Sequence, residues 1–283
     1  MIKATQLSYI YPGQDHAAVN NISFTVNRGE IFGFLGPSGA GKSTTQKLLI
    51  RLLRGYQGHV SIDSKELRNL TQDYYNHIGV GFELPNHYPR LTALENLKFF
   101  ASFYRNKTSN LMQLLEMVGL HQEADKPTSA FSKGMKMRLN FVRALVHNPE
   151  ILFFDEPTSG LDPINARKVK NIILDLRARG KTIFLTTHNM HDAAELCDRV
   201  AFITQGKISL TDSPRNLKLQ HGTRKLTLEY GNGQTISREF GLDKLGENPE
   251  FLNLIKNEYI QSIHSAEASL EEVFIKTTGE RLV

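Results

Sequence analysis

The sequence has a single cysteine and no long apolar run, and both shortages limit what the chain can be. Because Cys197 has no second cysteine to pair with, an internal disulfide framework is excluded and a reducing cytosol is expected. No stretch approaches the roughly 18 apolar residues of a membrane-spanning helix, so we expect a soluble chain. The opening residues MIKATQLSYIY contain no apolar signal-peptide core, and we therefore expect no secretory signal.

Low-complexity tracts and internal repeats are also lacking, and the composition is that of an ordinary globular protein. The chain has 283 residues, of which 40% are hydrophobic and 22% charged, enough for one large domain and an appendage. The net charge of +5 is uneven, because residues 1–220 are basic and residues 221–283 are acidic. This shift predicts a boundary near 220. The basic excess is modest, so we expect no nucleic-acid partner.

Short β-rich runs alternate with helical stretches up to about residue 210, which predicts an α/β core. Several of the runs are apolar throughout, as in parallel strands that are covered on both faces. The predicted strands are IFGFL (31–35), GHVSI (58–62), IGVGF (78–82), ILFFD (151–155), TIFLT (182–186) and RVAFI (199–203). Between 92 and 147 the pattern is helical instead, which predicts a helical subdomain over about 84–147, inserted into the core.

The last part of the chain has a different pattern and predicts a small α+β unit over 221–283. KLTLEY and QTISREF flank GNG, and Asn-Gly tolerates the positive φ angles of a tight hairpin turn. A helix near 249–257 and a strand near 259–264 follow. Ser269 and Glu272 have the spacing of a capping box, which predicts the start of a final helix.

A glycine-rich loop follows the strand IFGFL and leads into the helical stretch TQKLLIRLL. Its sequence GPSGAGKST fits the P-loop pattern, in which backbone N–H groups and a helix N-terminus surround phosphate oxygens. We expect Lys42 to bridge the β- and γ-phosphates of ATP and Ser43 to bind Mg²⁺. The predicted nucleotide-binding residues here are Gly36, Pro37, Ser38, Gly39, Ala40, Gly41, Lys42, Ser43 and Thr44.

Two carboxylates at the end of the strand ILFF provide a second half for this site. Ligands of open parallel sheets bind at the carboxyl ends of strands, so we expect Asp155 to hold Mg²⁺ and Glu156 to polarise the attacking water. His188 ends the next strand and could contact the γ-phosphate. Without the P-loop, the acidic pair would indicate only a strand end and the histidine only a turn.

Taken together, GPSGAGKST, FSKGM, ILFFDEP, SGLD and TTHNM make residues 1–215 resemble the ATPase subunit of an ABC transporter. The resemblance implies a P-loop NTPase fold that binds ATP with Mg²⁺. It also implies an adenine-stacking aromatic, which we assign to Tyr11, with Tyr9 as the alternative. In SGLD (159–162), it implies that Asp162 belongs to the nucleotide site.

The segment FSKGM has two interpretations. Taken alone, Ser132 would only cap the helix that follows it. The resemblance implies instead that FSKGM is the family's signature motif and that two subunits bind head to tail. Ser132 and Gly134 would then complete the ATP site of the partner subunit, for which a second copy is expected. Lys133 and Met135 depart from the commonest signature, LSGGQ, but leave the hydroxyl and the glycine in place.

After the strand IGVGF, relatives of this kind have a glutamine where this chain has Glu83. A carboxylate oxygen is as good a hard ligand for Mg²⁺ as an amide oxygen. We therefore predict that Glu83 is an Mg²⁺ ligand and coupling residue. The alternative is that Glu83 only begins a loop.

The single P-loop indicates one half of a machine with two ATP sites. The tail SLEEVFIKTTGERL and the signature FSKGM resemble bacterial drug and antibiotic exporters. The resulting hypothesis is an ATPase that drives drug export through a separate transmembrane permease, at the cytoplasmic face of the membrane. The alternatives are a subunit of an importer or of a lipid or polysaccharide exporter, and a soluble switch that acts on ribosomes or DNA.

Overall fold

The structure, a computed structural model, describes residues 1–105, 108–221, 225–266 and 268–280. It divides between Ser213 and Pro214 into two compact units, whereas the charge shift placed the boundary near 220. A helix that the sequence analysis did not predict explains the difference, because it begins at Pro214 and Lys276 of the second unit donates a hydrogen bond to its last carbonyl, on His221. The distribution of charge along the sequence gives no information about this packing, so it placed the boundary too late in the chain.

The first unit contains ten strands and six α-helices among the residues described. They are β1 (Ile2–Ile10), β2 (Ala17–Val26), β3 (Ile31–Leu35), α1 (Lys42–Leu49), β4 (Gln57–Ile62), β5 (Lys65–Glu66), β6 (Ile78–Gly81), α2 (Ala93–Ala101), α3 (Leu111–Met117), α4 (Lys133–Arg143), β7 (Ile151–Asp155), α5 (Pro163–Ala178), β8 (Thr182–Thr187), α6 (Met190–Leu196), β9 (Arg199–Thr204) and β10 (Lys207–Asp212).

A six-stranded sheet forms the centre of this unit, in the order β10-β9-β3-β8-β7-β6. The pairs between β9, β3, β8, β7 and β6 are parallel, and β10 is antiparallel to β9. β3, β7 and β8 are buried along their whole length, which explains their continuous apolar runs. Five of the six predicted strands lie here.

The sixth predicted strand, β4, lies in a separate antiparallel sheet of order β2-β1-β4-β5. The sequence analysis did not predict β1 and β2. Their buried residues alternate with polar and exposed ones over much of their length, as in strands with only one face on the core. Such strands lack the continuous apolar run from which the central strands were predicted.

Three α-helices, α2 to α4, lie between β6 and β7 in the described part of this segment, where the sequence predicts a helical insertion. Thr92 and Glu95 form a capping box at the start of α2, and the Asn110 side chain caps α3. Ser132 caps α4, with its hydroxyl oxygen accepting a hydrogen bond from the backbone N–H of Met135 at 3.2 Å. Each helix therefore begins where its own sequence satisfies a free backbone N–H group.

The second unit is a small α+β structure with its own core. Its elements are α7 (Pro214–His221), β11 (Lys225–Tyr230), β12 (Ile236–Gly241), α8 (Pro249–Asn257), β13 (Ile260–Ala266) and α9 (Leu270–Thr278). The strands form an antiparallel sheet of order β12-β11-β13, and Gly231 and Gly233 have positive φ angles in the predicted hairpin turn. The predicted capping box of Ser269 and Glu272 is present. No helix among the residues described is long and apolar enough to cross a membrane.

Candidate nucleotide site

A polar cavity of about 240 Å³ lies where β3, β7 and β8 end and α1 begins. Parallel sheets carry their ligand sites at this edge, because the carboxyl ends of the strands and the N-termini of the helices meet there. The cavity contains ten of the predicted site residues. Its lining is Ser38, Gly39, Gly41, Lys42, Ser43, Thr44, Glu83, Asp155, Glu156 and His188.

Glycines shape the loop between β3 and α1 at two positions where no side chain fits. A Cβ atom at Gly36 would lie 2.1 Å from the carbonyl oxygen of Ile203. Gly41 has a φ of +106°, and a Cβ there would lie 2.4 Å from the carbonyl oxygen of Ala18. Gly36 belongs to the loop but does not line the cavity, and the same is true of Pro37 and the buried Ala40. The loop thus turns tightly and directs the N-terminus of α1 into the cavity.

Lys42, the first residue of α1, folds back over this loop. Its ammonium group donates hydrogen bonds to the carbonyl oxygens of Gly36 at 2.6 Å and Pro37 at 2.9 Å. Burial lowers the pKa of Lys42, while the charges of Glu156 and Asp155 act in the opposite direction. The side chain is therefore an ammonium donor held beside the cavity, suited to phosphate oxygens.

Asp155, the last residue of β7, is buried beside two hydroxyl groups. The Ser43 hydroxyl donates to Asp155 Oδ1 at 3.2 Å, and the Thr186 hydroxyl donates to the same oxygen. Hydroxyl and carboxylate oxygens are hard donors that suit Mg²⁺, and Ser43 and Asp155 face the same cavity. The two residues predicted for metal binding on these elements are thus brought together.

Glu156 leaves the strand with a φ of +49°, a left-handed conformation that is uncommon outside glycine. Its Oε2 accepts a hydrogen bond from the Thr187 hydroxyl at 2.9 Å. Its Oε1 accepts one from the His188 backbone N–H at 2.9 Å and lies 2.7 Å from His188 Nδ1. Glu156 is 6% exposed, and the adjoining His188 side chain is about half exposed. The site therefore contains a fixed carboxylate next to a histidine that can reach a ligand.

Sequence reasoning did not predict Thr186 and Thr187, although both contact site carboxylates. Each side chain is almost completely buried at the end of β8. The only available signal was their place directly before His188 in TTHNM. Their contacts depend on the register of β7 against β8, which the sequence does not state.

Glu83 lies just after β6, is exposed and lines the cavity together with Asp155. The residue before it is tied to α4, because Asn140 Nδ2 donates a hydrogen bond to the Phe82 carbonyl oxygen at 2.6 Å. The carboxylate is therefore presented to the cavity by a backbone segment that is itself anchored.

Tyr11 lies just outside the cavity lining, close to its P-loop wall. Its hydroxyl group is 3.2 Å from the Thr44 hydroxyl, and its ring packs edge-on against Tyr9 with the centroids 5.0 Å apart. Tyr9 is 7% exposed, whereas Tyr11 is only partly buried. Of the two aromatic candidates, Tyr11 is therefore the one with a ring surface open to a ligand.

Ser132, Gly134 and Asp162 do not line the cavity but lie near one another elsewhere on the first unit. A Cβ added at Gly134 would lie 3.8 Å from Leu161 and 4.0 Å from the Gly160 carbonyl oxygen, which places SGLD beside the start of α4. Asp162 caps α5 by accepting hydrogen bonds from the backbone N–H groups of Ile164 and Asn165, both at 3.1 Å. A hydrogen bond from the Asn165 side chain lowers the pKa of Asp162.

Comparison with known proteins shows the family to which the chain belongs. Residues 19–159 match the family described as ABC transporter, and residues 224–267 match the fluoroquinolone efflux ABC transporter C-terminal domain. The chain is 54% identical to the Fluoroquinolones export ATP-binding protein of Mycobacterium tuberculosis, with 100% of this chain and 94% of that protein covered. It is 38% identical to the Bacitracin transport ATP-binding protein BcrA of Bacillus licheniformis, over 74% of this chain and 68% of that one.

Solved structures confirm the predicted P-loop NTPase fold. The dimeric post-hydrolysis state of the ATP-binding cassette MJ0796, bound to ADP and Pi, has a TM-score of 0.69 and 28% identity, and covers 75% of this chain and 98% of that one. An ATP-binding subunit of an ABC transporter has a TM-score of 0.71 and 29% identity, over 78% of this chain and 93% of that one. From its fold, its cavity and its full-length relatives, the chain is an ATP-binding, ATP-hydrolysing subunit of the ABC transporter family.

Proposed function

We propose that this chain drives export of fluoroquinolone-type drugs through a separate membrane permease. The observation that carries the proposal is the match of residues 224–267 to the fluoroquinolone efflux C-terminal domain. The ATP-binding core alone would not discriminate, because over about three quarters of the chain it is also similar to subunits named for bacitracin transport and Nod factor export. The C-terminal match and the 54% identity over the whole chain favour one drug class, since Nod factor export subunits matched over 95% of this chain are only 33% and 38% identical.

In the proposed reaction, Glu156 accepts a proton from the water that attacks the γ-phosphorus. The new phosphorus–oxygen bond forms as the bond to the β,γ-bridging oxygen breaks, and ADP leaves. Lys42 offsets charge on the β- and γ-phosphates, and the exposed part of His188 contacts the γ-phosphate. This division of roles follows from a buried, hydrogen-bonded carboxylate that lies beside a cationic donor and a histidine.

Ser43, Asp155 and Glu83 are the residues that we propose for binding Mg²⁺. Their hydroxyl and carboxylate oxygens border one cavity, and they form a donor set that suits a hard cation. When bound, Mg²⁺ would supply positive charge to the triphosphate. Tyr11 would stack on the adenine, next to the loop that it contacts through Thr44.

The group formed by Ser132, Gly134 and Asp162 is proposed to act on the ATP of a second copy bound head to tail. Among the residues that the structure describes, none requires a glycine at position 134, because a Cβ there would make only ordinary contacts. Glycine is nevertheless unfavourable within a helix by about 0.5–1 kcal/mol. Close approach of a phosphate group from a second subunit would explain why position 134 has no side chain. The similar cassette MJ0796 has a dimeric structure.

Together with its permease, the proposed homodimer would work at the cytoplasmic face of the membrane. An efflux-deficient bacterium that expresses the chain with the permease that copurifies with it should accumulate less fluoroquinolone than the same strain with Lys42→Ala. Lys47→Ala, on the same helix but outside the cavity lining, is the matched control and should preserve efflux. Equal accumulation with the wild type and Lys42→Ala would reject drug export. Reduced accumulation of bacitracin but not of fluoroquinolone would reject the assigned drug class.

A further inference from the structure

The end of β8 holds the two carboxylates that follow β7. In the parallel register Asp155 lies opposite Thr186, whose hydroxyl donates to Asp155 Oδ1. One residue further, the Thr187 hydroxyl donates to Glu156 Oε2 at 2.9 Å. Because successive strand residues face opposite sides, the two hydroxyl groups serve the two carboxylates separately.

The two oxygens of Glu156 are held by different residues. Oε1 lies against His188, whereas Oε2 accepts its hydrogen bond from Thr187. Among the residues that the structure describes, no other side chain forms a hydrogen bond with Oε2. A glutamate carboxylate has a broad torsional preference about its terminal bond, so one anchored oxygen leaves its plane free to rotate. Two anchored oxygens fix the plane.

The Thr187 hydroxyl is itself fixed in direction. Its oxygen accepts a hydrogen bond from the Asn189 backbone N–H at 3.0 Å, so its own hydrogen remains to be donated to Glu156. Asn189 is held in turn, since its side chain caps α6 by accepting from the Asp192 backbone N–H at 3.0 Å. Thr187 is only 1% exposed, so water does not compete for this contact.

We propose that Thr187 is a positioning residue for ATP hydrolysis: its hydroxyl fixes the plane of the Glu156 carboxylate so that one oxygen faces the attacking water. This inference rests on the proposed role of Glu156 as the base. Thr187 itself does not line the cavity. Its loss should therefore reduce the rate of the chemical step and leave ATP binding unchanged.

Substitutions that delete or keep the hydroxyl test this role in the full-length chain. Thr187→Val preserves the shape and Thr187→Ala removes the side chain beyond Cβ, and both should reduce kcat. Loss of one hydrogen bond to a charged group should lower kcat by about 10- to 100-fold. The KM and dissociation constant for ATP should stay within about twofold of the wild-type values. Thr187→Ser should restore kcat to within about threefold.

Thr182→Val is the matched control, because it removes an equally buried and hydrogen-bonded hydroxyl from the same strand. The Thr182 hydroxyl oxygen accepts from the Gly29 backbone N–H at 2.9 Å and lies outside the cavity lining. This variant should keep the wild-type kcat. If Thr187→Val does not fold, the comparison between Thr187→Ala and Thr187→Ser decides.

Three outcomes would overturn the proposal. One is a normal kcat for Thr187→Val and Thr187→Ala while Glu156→Gln is inactive. Another is a parallel loss of ATP affinity in both variants, which would indicate a purely structural role. The third is failure of Thr187→Ser to recover activity. Full activity of Glu156→Gln would instead reject the underlying assignment of Glu156, so the two failures are distinguishable.

Discussion

The nucleotide cavity differs from the surface formed by Ser132, Gly134 and Asp162 in how many of its polar side chains are buried and fixed by contacts within one chain. In the cavity, Asp155 and Glu156 are buried and accept hydrogen bonds from the neighbouring strand β8. Their positions are fixed without help from outside the chain. In the part of the chain that the structure describes, the other surface lacks such enclosure, because Ser132 and Asp162 are exposed and cap the first turns of their own helices.

In the proposed assembly, one half of each ATP site is therefore prebuilt within a chain, and the other half is a surface that a second subunit would bring to it. A hydroxyl or carboxylate that caps a helix keeps a free face, and the positive end of the helix is directed outward. On this surface, the Ser132 hydroxyl and the N-terminus of α4 suit an anionic ligand. The two regions should therefore respond differently to mutation, one through chemistry within the monomer and the other through assembly.

The largest effect is expected inside the cavity, from Glu156→Gln. The amide keeps the shape of the side chain but cannot accept the proton, so turnover should fall by about 10²- to 10⁴-fold. ATP binding should persist and ATP-bound dimers should accumulate, as measured by steady-state hydrolysis and size-exclusion chromatography. Glu116→Gln, at an exposed position of α3, is the control. Near-normal turnover by Glu156→Gln would remove this residue from the role of base.

Ser132→Arg tests the open surface and should act only through assembly. A bulky cation at the start of α4 should block the approach of a second subunit and reduce ATPase activity by at least about tenfold, because it opposes close packing and displaces the hydroxyl. ATP affinity of the monomer should remain. Ser129→Arg, which places the same charge on an exposed residue just before the helix, should have a smaller effect. Normal ATP-driven dimerisation of Ser132→Arg would contradict an action in trans.

The sequence was sufficient to predict the strands and the loop that form the cavity, but not all of the surrounding elements. Full burial restricts a strand to apolar residues, so the apolar runs of β3, β7 and β8 could be predicted as buried strands. Positive φ angles favour glycine, so the glycines of the loop could be predicted as a tight turn. The half-buried β1 and β2 and the first helix of the second unit carry no such restriction. These elements are stabilised by tertiary packing, which local sequence patterns do not reveal.

Contacts that depend on strand register were equally beyond prediction. Thr186 and Thr187 are ordinary strand residues until β8 pairs with β7 and brings their hydroxyl groups to the two carboxylates. Similarly, the motif FSKGM predicted a helix start, and the structure provides one at Ser132. Its action on a partner is a property of two chains, so it stays a prediction.

Glu83 is an exposed residue of the cavity lining, and its substitution should have an intermediate effect. Glu83→Ala removes an oxygen donor, so the Mg²⁺ concentration for half-maximal ATPase activity should rise by about 3- to 10-fold, a ligand loss of about 1 kcal/mol. Glu83→Gln keeps an oxygen ligand and should retain substantial activity. Magnesium titrations of the three proteins compare them directly. Superimposable curves for the wild type and Glu83→Ala would exclude a ligand role.

The smallest effect on nucleotide binding is expected from removing the second unit by ending the chain after Ser213. All residues that line the cavity lie between Ser38 and His188, and each unit has a hydrophobic cluster formed by its own residues. A unit with its own core can fold alone, so the ATP dissociation constant of the truncated chain should stay within about twofold of the full-length value. Calorimetric titration with ATP measures this, and circular dichroism checks the fold. If the second unit supports dimerisation, the truncated chain should form ATP-bound dimers only at higher protein concentration. Loss of all ATP affinity in a folded truncation would show instead that the second unit contributes to the nucleotide site.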